Sequence, residues 1–178
     1  MLALCLGLRR GELLGLHWED VDLDTGTLEV VQTLQRVGGA LHFVRPKTKG
    51  SARTVPLPQL CNDALREHRR QQFAERADAW PNWQENGPVF PTRIGAPMEP
   101  DNLRRSWGRI RTTVGLTGTR FHDMRHTCVS LLLHLGVAPD MVREIVGHSD
   151  IEVTMTIYAH TSLSEKRQAL GKLGDALT

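Results

Sequence analysis

The stretch VDLDTGTLEVVQTLQRVGGALHFVRPKTKGSARTVPLP, residues 21–58, decides what kind of fold this chain adopts. Asp24-Thr25-Gly26 is a turn signal, and residues 27–34 are rich in β-formers. Gly38-Gly39 offers two consecutive residues that tolerate positive φ, which a tight hairpin turn requires. Residues 41–45 read as a second strand and 47–51 as a second turn. A third strand, 52–57, is closed by Pro56 and Pro58, because proline cannot donate to a ladder. The expectation is a small three-stranded antiparallel sheet near the N-terminus, with Lys47 and Lys49 at its second turn.

On either side the periodicity is helical. Leu2, Leu6, Leu13, Leu14 and Leu16 recur with helical spacing, interrupted near Gly7. Residues 59–77 read as a charged amphipathic helix. Residues 78–100 hold five of the nine prolines and read as loop, with GPVF as a short extended piece. Asp101 is a candidate N-cap for NLRRSWGRIRTTVG. FHDMRHTCVSLLLHLG predicts a helix ending at Gly136, and APDMVREIVGHS a helix with Pro139 in its first turn and Gly147 at its end. A short helix carries Tyr158, and residues 162–178 form a tail helix with Leu163, Leu170 and Leu173 on its apolar face. The fold class is therefore α+β, mainly α-helical, in one domain spanning residues 1–178.

Bulk properties bound the function. With 40% hydrophobic and 24% charged residues the default is a globular domain, and no apolar run approaches the ~20 residues of a membrane span. Cys5, Cys61 and Cys128 are scattered without a CxxC pair, which points to a reducing, cytoplasmic setting rather than a disulfide framework or a zinc cluster. Net charge is only +2, but it is unevenly placed. Residues 11–30 hold six acids and no Lys or Arg; residues 36–53 hold five Lys/Arg and no acid; residues 101–125 hold six Arg and two Asp. Such blocks form either a basic face against nucleic acid or an ordinary solvated surface.

The candidate reagents are few. Tyr158 is the only tyrosine of the chain. A phenol with a pKa near 10 needs neighbouring cations or a proton acceptor to become a nucleophile, and is otherwise a packing residue. His122 and Arg125, three apart on a helix, share a face and suit a phosphate: the guanidinium gives two parallel donors, and the imidazole donates or moves a proton. The same spacing also arises by accident on helix surfaces. His122 and His126 further spell H-D-x-x-H, close to the H-E-x-x-H zinc motif, which leaves a zinc hydrolase as a remote alternative. His148 stands at a helix end, as a cap or as part of a site. Arg9 and Glu12 are three apart, an ion pair or an oriented pair. Lys47 and Lys49 sit at a turn.

Taken in order, these residues resemble the set carried by the tyrosine recombinases, the phage integrase family. The matching segments are GLRRGELLGLHWEDVDLDTGTLEV, PKTKGSARTVPLP, FHDMRHTCVSLLL and VREIVGHSDIEVTMTIYAH, spread over about residues 6–160. The resemblance implies a DNA strand transferase whose catalytic residues are Arg9, Lys47, His122, Arg125, His148 and Tyr158. Arg9 and Arg125 would clamp the scissile phosphate. His122 matches the first histidine of the family's motif, and His148 the second, which would hydrogen-bond the phosphate. Lys47, with Lys49 as a rival, would protonate the departing 5′ oxygen. Tyr158 would form the 3′-phosphotyrosyl link, and Glu12 would support Arg9. No metal or cofactor is implied, since the cations offset the phosphate charge and the covalent link conserves the bond energy.

The resemblance further implies double-stranded DNA as partner, a homo-tetramer on DNA, and no membrane. It places a core-binding domain and the first helix of the catalytic domain upstream of this chain. An inert, truncated DNA-binding remnant is the alternative. Whether the tail helix docks in cis or on a neighbouring protomer is open.

Overall fold

The computed structural model describes residues 1–45 and 52–147. Lys47, Lys49, His148, Tyr158 and the tail helix lie outside these residues. The architecture is α+β and mainly helical. Two short helices, α1 (Leu2–Cys5) and α2 (Arg10–Gly15), lead through a 3-10 turn (Trp18–Asp20) into the strands β1 (Val21–Asp22), β2 (Thr27–Val30), β3 (Thr33–Val37), β4 (Ala40–Val44) and β5 (Arg53–Pro56). Among the described residues four helices follow: α3 (Gln59–Asp78), α4 (Pro100–Thr113), α5 (Asp123–His134) and α6 (Pro139–Val146).

The break between α1 and α2 falls at Gly7, as the leucine spacing suggests. Gly7 has φ +61°, and a Cβ there would lie 2.7 Å from Val146 Cγ1. Glycine is thus required twice, by the left-handed backbone and by the close approach of α6. α6 closes in the same way: Gly147, at φ 68°, caps it, and Pro139 occupies its first turn, where a missing N–H costs nothing.

The sheet has three antiparallel strands, but not the three expected. The β-rich run 27–34 splits at Val31-Gln32 into β2 and β3. Among the described residues β3 pairs only with β4, as a separate hairpin from Thr33↔Val44 to Val37↔Ala40, turning through Gly38 and Gly39 at φ 57° and 85°. β5 returns instead to β2, pairing Leu28 with Val55 and Val30 with Arg53, and β1 completes the sheet by pairing Val21 with Leu28. The split has a local cause. Gln32 Nε2 donates to Gly15 O at 2.9 Å, and a Cβ on Gly15 would meet Leu34 N and Thr33 Cα at 2.9 Å. β3 is therefore drawn onto α2 and away from the plane of β2.

Val21, Leu28, Val30 and Val55 form the inner face of the sheet and join Leu2, Leu6, Leu8, Leu13, Leu16, Cys61, Leu65 and Val89 in the larger core. α3 shows this core Cys61, Leu65 and Gln72, one face of an otherwise exposed helix. Gln72 is satisfied there, accepting from Trp18 Nε1 at 2.5 Å and donating to Pro88 O at 3.0 Å. A second cluster, Cys128, Val129, Leu133, Val142 and Val146, joins α5 to α6. α4 begins two residues earlier than expected: Glu99 is its N-cap, Pro100 its first residue, and Asp101 lies inside the first turn, where its charge suits the helix dipole. Among the described residues no helix is long and apolar enough to cross a membrane.

Candidate active site

The site begins with a helix start. Arg9 is the N-cap of α2, with extended backbone at φ −67° and ψ 153°. Glu12, one turn in, reaches back so that its Oε2 accepts the Arg9 N–H at 2.9 Å. This is half of a capping box, and it fixes where the Arg9 side chain leaves the backbone. Arg9 Nη1 then donates to Glu12 Oε1 at 2.7 Å, and Nη2 to Gly147 O at 2.9 Å. The second contact spans 138 positions and ties α2 to the end of α6.

Glu12 is only 4% exposed. A carboxylate so placed must be charge-paired and hydrogen-bonded. Arg53, on β5, supplies the rest: Nη2 donates to Oε2 at 3.1 Å and Nη1 to Oε1 at 3.4 Å. Each carboxylate oxygen thus takes one donor from Arg9 and one from Arg53, filling the roughly four acceptor positions of the group. Burial alone would raise the Glu12 pKa. The hydrogen bonds and charge of Arg53, with the donors of Arg9, overcome that and hold it below its ordinary 4.5.

Arg125 lies on the first turn of α5 and is 2% exposed. Its Nη1 donates to Gly7 O at 2.6 Å, against the break between α1 and α2. Burial, then the charge of Arg9, lower its pKa to about 10, with Glu12 acting in the opposite sense. It remains a cation at neutral pH. His122 caps α5 at the N-terminal side, and its ring meets that of His126 edge-on, with centroids 4.9 Å apart. Partial desolvation first, then the charges of His126, Arg125 and Arg9, push its pKa below the ordinary 6.5. Its dominant form at neutral pH is the uncharged imidazole. Asp123 next to it is engaged elsewhere, accepting from Arg120 N at 2.7 Å.

The fold therefore brings Arg9, Glu12, His122 and Arg125 into one electrostatically coupled cluster. Among the sequence-derived candidates, Lys47, its rival Lys49, His148 and Tyr158 lie outside the described residues. Arg53 was not anticipated. A signal for it exists: in β5 it alternates in step with Val55, which faces the core, so a charged residue there must find a buried partner. Of the zinc alternative, the paired rings of His122 and His126 are present. Among the described residues no group of three His, Cys, Asp or Glu is placed to hold a metal ion.

Chemically, three guanidiniums around one carboxylate leave an excess of positive charge in a poorly solvated place. That suits the oxygens of a phosphodiester. Residues 1–165 match the model of the phage integrase family. The chain belongs to that family. Its curated relatives include a XerC-like tyrosine recombinase of Caldanaerobacter subterraneus, 36% identical over 98% of this chain and 48% of the relative. Another is the integrase of Streptomyces ambofaciens, 31% identical over 89% of this chain and 42% of the relative. The chain thus spans about half the length of the curated relatives it matches. Among solved structures of the family, the Tn1549 transposon integrase in complex with circular intermediate DNA superposes with a TM-score of 0.82. It is 25% identical over 97% of this chain and 57% of that one. XerA recombinase shares the fold at a TM-score of 0.70.

Proposed function

We propose that this chain is the catalytic part of a site-specific DNA recombinase, which cuts and rejoins double-stranded DNA through a 3′-phosphotyrosyl intermediate. The observation that carries the reading is that Arg9 and Arg125, remote in sequence, meet at one seam: Arg9 Nη2 donates to Gly147 O at 2.9 Å, Arg125 Nη1 donates to Gly7 O at 2.6 Å, and Gly7 packs against Val146 beside Gly147. In this reading Arg9 and Arg125 hold the non-bridging oxygens of the scissile phosphate and stabilise the charge that grows on them in the pentacoordinate transition state. The Tyr158 phenolate oxygen forms a bond to phosphorus as the bond from phosphorus to the 5′ oxygen breaks. His122, uncharged at neutral pH, can take the phenolic proton. His148 donates a hydrogen bond to the phosphate, and Lys47, or Lys49, gives a proton to the departing 5′ oxygen. Glu12 holds Arg9 in place. Rejoining is the reverse, with a 5′ hydroxyl attacking the phosphotyrosine, and no cofactor enters the balance.

The partner is duplex DNA, met as a homo-tetramer in the cytoplasm. Three free thiols, Cys5, Cys61 and Cys128, fit a reducing compartment. The recombinase and integrase names of the relatives support the reaction class. The test is covalent capture from a pool of nicked duplexes with randomised sequence around the nick. A protein–DNA adduct that survives denaturation and is lost in Tyr158→Phe supports strand transfer. Binding to the pool without an adduct supports an inert DNA-binding remnant instead.

A further inference from the structure

Arg53 has no role in the reaction as set out above, yet its side chain links β5 to both α2 and α6. Its side chain is 8% exposed, on the sheet rather than on the helices that carry the candidate reagents. Its Nε donates to Ile145 O at 2.8 Å, on the last turn of α6, while Nη1 and Nη2 donate to the two oxygens of Glu12. Its guanidinium also lies close against the end of α6: a Cβ built on Gly147 would stand 2.6 Å from Arg53 Nη1 and 2.9 Å from Cζ. Gly147 O in turn accepts from Arg9 Nη2 at 2.9 Å. A closed circuit results, running from Arg53 to Glu12, to Arg9, to Gly147 and back to Arg53.

Two consequences follow from general physics. A buried carboxylate held by one arginine alone turns that arginine's charge inward. Shared with a second, it leaves part of the first guanidinium's charge for another anion. And a planar fork with five fixed donors can hold a carboxylate and a backbone carbonyl at once, which an ammonium cannot do with the same rigidity.

We propose that Arg53 is a positioning residue for strand transfer: it fixes Glu12, and through it the Arg9 guanidinium, against the C-terminal end of α6, directly before His148 in the sequence. Arg53 itself touches no DNA. This rests on the strand-transfer reading of the same cluster. It goes further by assigning the aim of Arg9 and of the α6 terminus to a single residue on β5.

The experiment compares wild type, Arg53→Gln and Arg53→Lys on a nicked duplex recovered from the covalent-capture pool. It reads DNA affinity, the active fraction, and the single-turnover rate per active molecule across pH. The expected result for Arg53→Gln is an unchanged affinity and a rate lower by about 10- to 100-fold, the scale set by small misplacements of a catalytic group. Its acid limb also steepens, because Glu12 has lost its strongest cation and takes up a proton. Arg53→Lys restores the wild-type acid limb but only part of the rate. A merely structural role would lower the active fraction and leave rate and pH profile as in wild type, and that outcome overturns the proposal. Should Arg53→Gln fail to fold, Arg53→Lys decides: a wild-type rate per active molecule overturns the proposal, and a lower rate at unchanged affinity upholds it. A wild-type chain that binds duplex but forms no adduct overturns the strand-transfer reading and this proposal with it. An active wild type with unmoved variants overturns only the role of Arg53.

Discussion

Arg125 Nη1 donates to the carbonyl oxygen of Gly7 at 2.6 Å, across 118 positions of sequence. The bond places a catalytic candidate of α5 on the one point where the α1–α2 connection must bend. Arg125 is therefore both a source of charge and a brace for the backbone. Its substitution by Ala removes both, leaving a buried acceptor unpaired at a cost of about 1–3 kcal/mol.

Arg125→Lys separates the two roles. It keeps a cation but not the parallel donors. The expected outcome is a loss of strand cleavage of about 100- to 1000-fold, the effect of removing one preorganised donor to a transition-state oxyanion, with duplex binding nearly unchanged. Arg125→Ala should also lower the urea midpoint, whereas Arg125→Lys should lower it less. Covalent-capture rates and urea unfolding of both variants check this.

Glu12 gives a pH dependence of stability with a definite sign. Its folded pKa lies below 4.5 because the donors of Arg53 and Arg9 overcome burial. Its contribution is fully present above the ordinary value and is lost as pH falls through the depressed one. Glu12→Gln is expected to cost about 3 kcal/mol near neutral pH, since it removes the buried carboxylate charge that Arg9 and Arg53 both hold. The gap to wild type should narrow in acid. Urea unfolding of both proteins at about pH 7 and about pH 3 tests it.

His122 should titrate below 6.5. The proton resonances of its imidazole, followed against pH, are expected to show a midpoint under that value in wild type. The midpoint should move back toward it in His126→Ala, which removes the nearest of the charges acting on the ring. A midpoint above 6.5 would mean that the ring faces an anion rather than the cations of the cluster.

Gly147→Ala probes the seam between α6 and the site. The residue sits at φ 68°, where a Cβ costs about 1–2 kcal/mol by itself, and the Cβ would also press on Arg53 Nη1 at 2.6 Å. The expected loss exceeds that of the backbone alone. In Arg53→Lys/Gly147→Ala the excess should shrink, because the obstructing guanidinium is gone. The double-mutant cycle, read by thermal unfolding, measures the difference.

Much of this organisation is visible in the chain as written. Gly7, Pro139 and Gly147 mark helix limits by backbone rules that hold whatever surrounds them, and the leucine spacing of α1 and α2 shows which faces are buried. The sheet is less legible. Residues 27–34 are rich in β-formers throughout, and nothing local records that Gln32 binds Gly15 O and that β3 leaves the sheet there. At the site, Arg9, Glu12, His122 and Arg125 stand out by type and spacing, but their burial does not. An i,i+3 His–Arg pair reads the same whether Arg125 faces water or Gly7. Arg53 is hidden for a related reason. Its partners, Glu12 and Ile145, are 41 and 92 positions away, so only the alternation of β5 hints at its inward direction.

Strand transfer as proposed requires Arg9 and Arg125 to serve one phosphate. A structure of this chain bound to a nicked duplex measures it most directly. The expected result is a single phosphate with its non-bridging oxygens within hydrogen-bond distance of both guanidiniums, and Glu12 still bridging Arg9 and Arg53. Arg9 and Arg125 on different phosphates, or a backbone that passes the cluster with neither engaged, would contradict it.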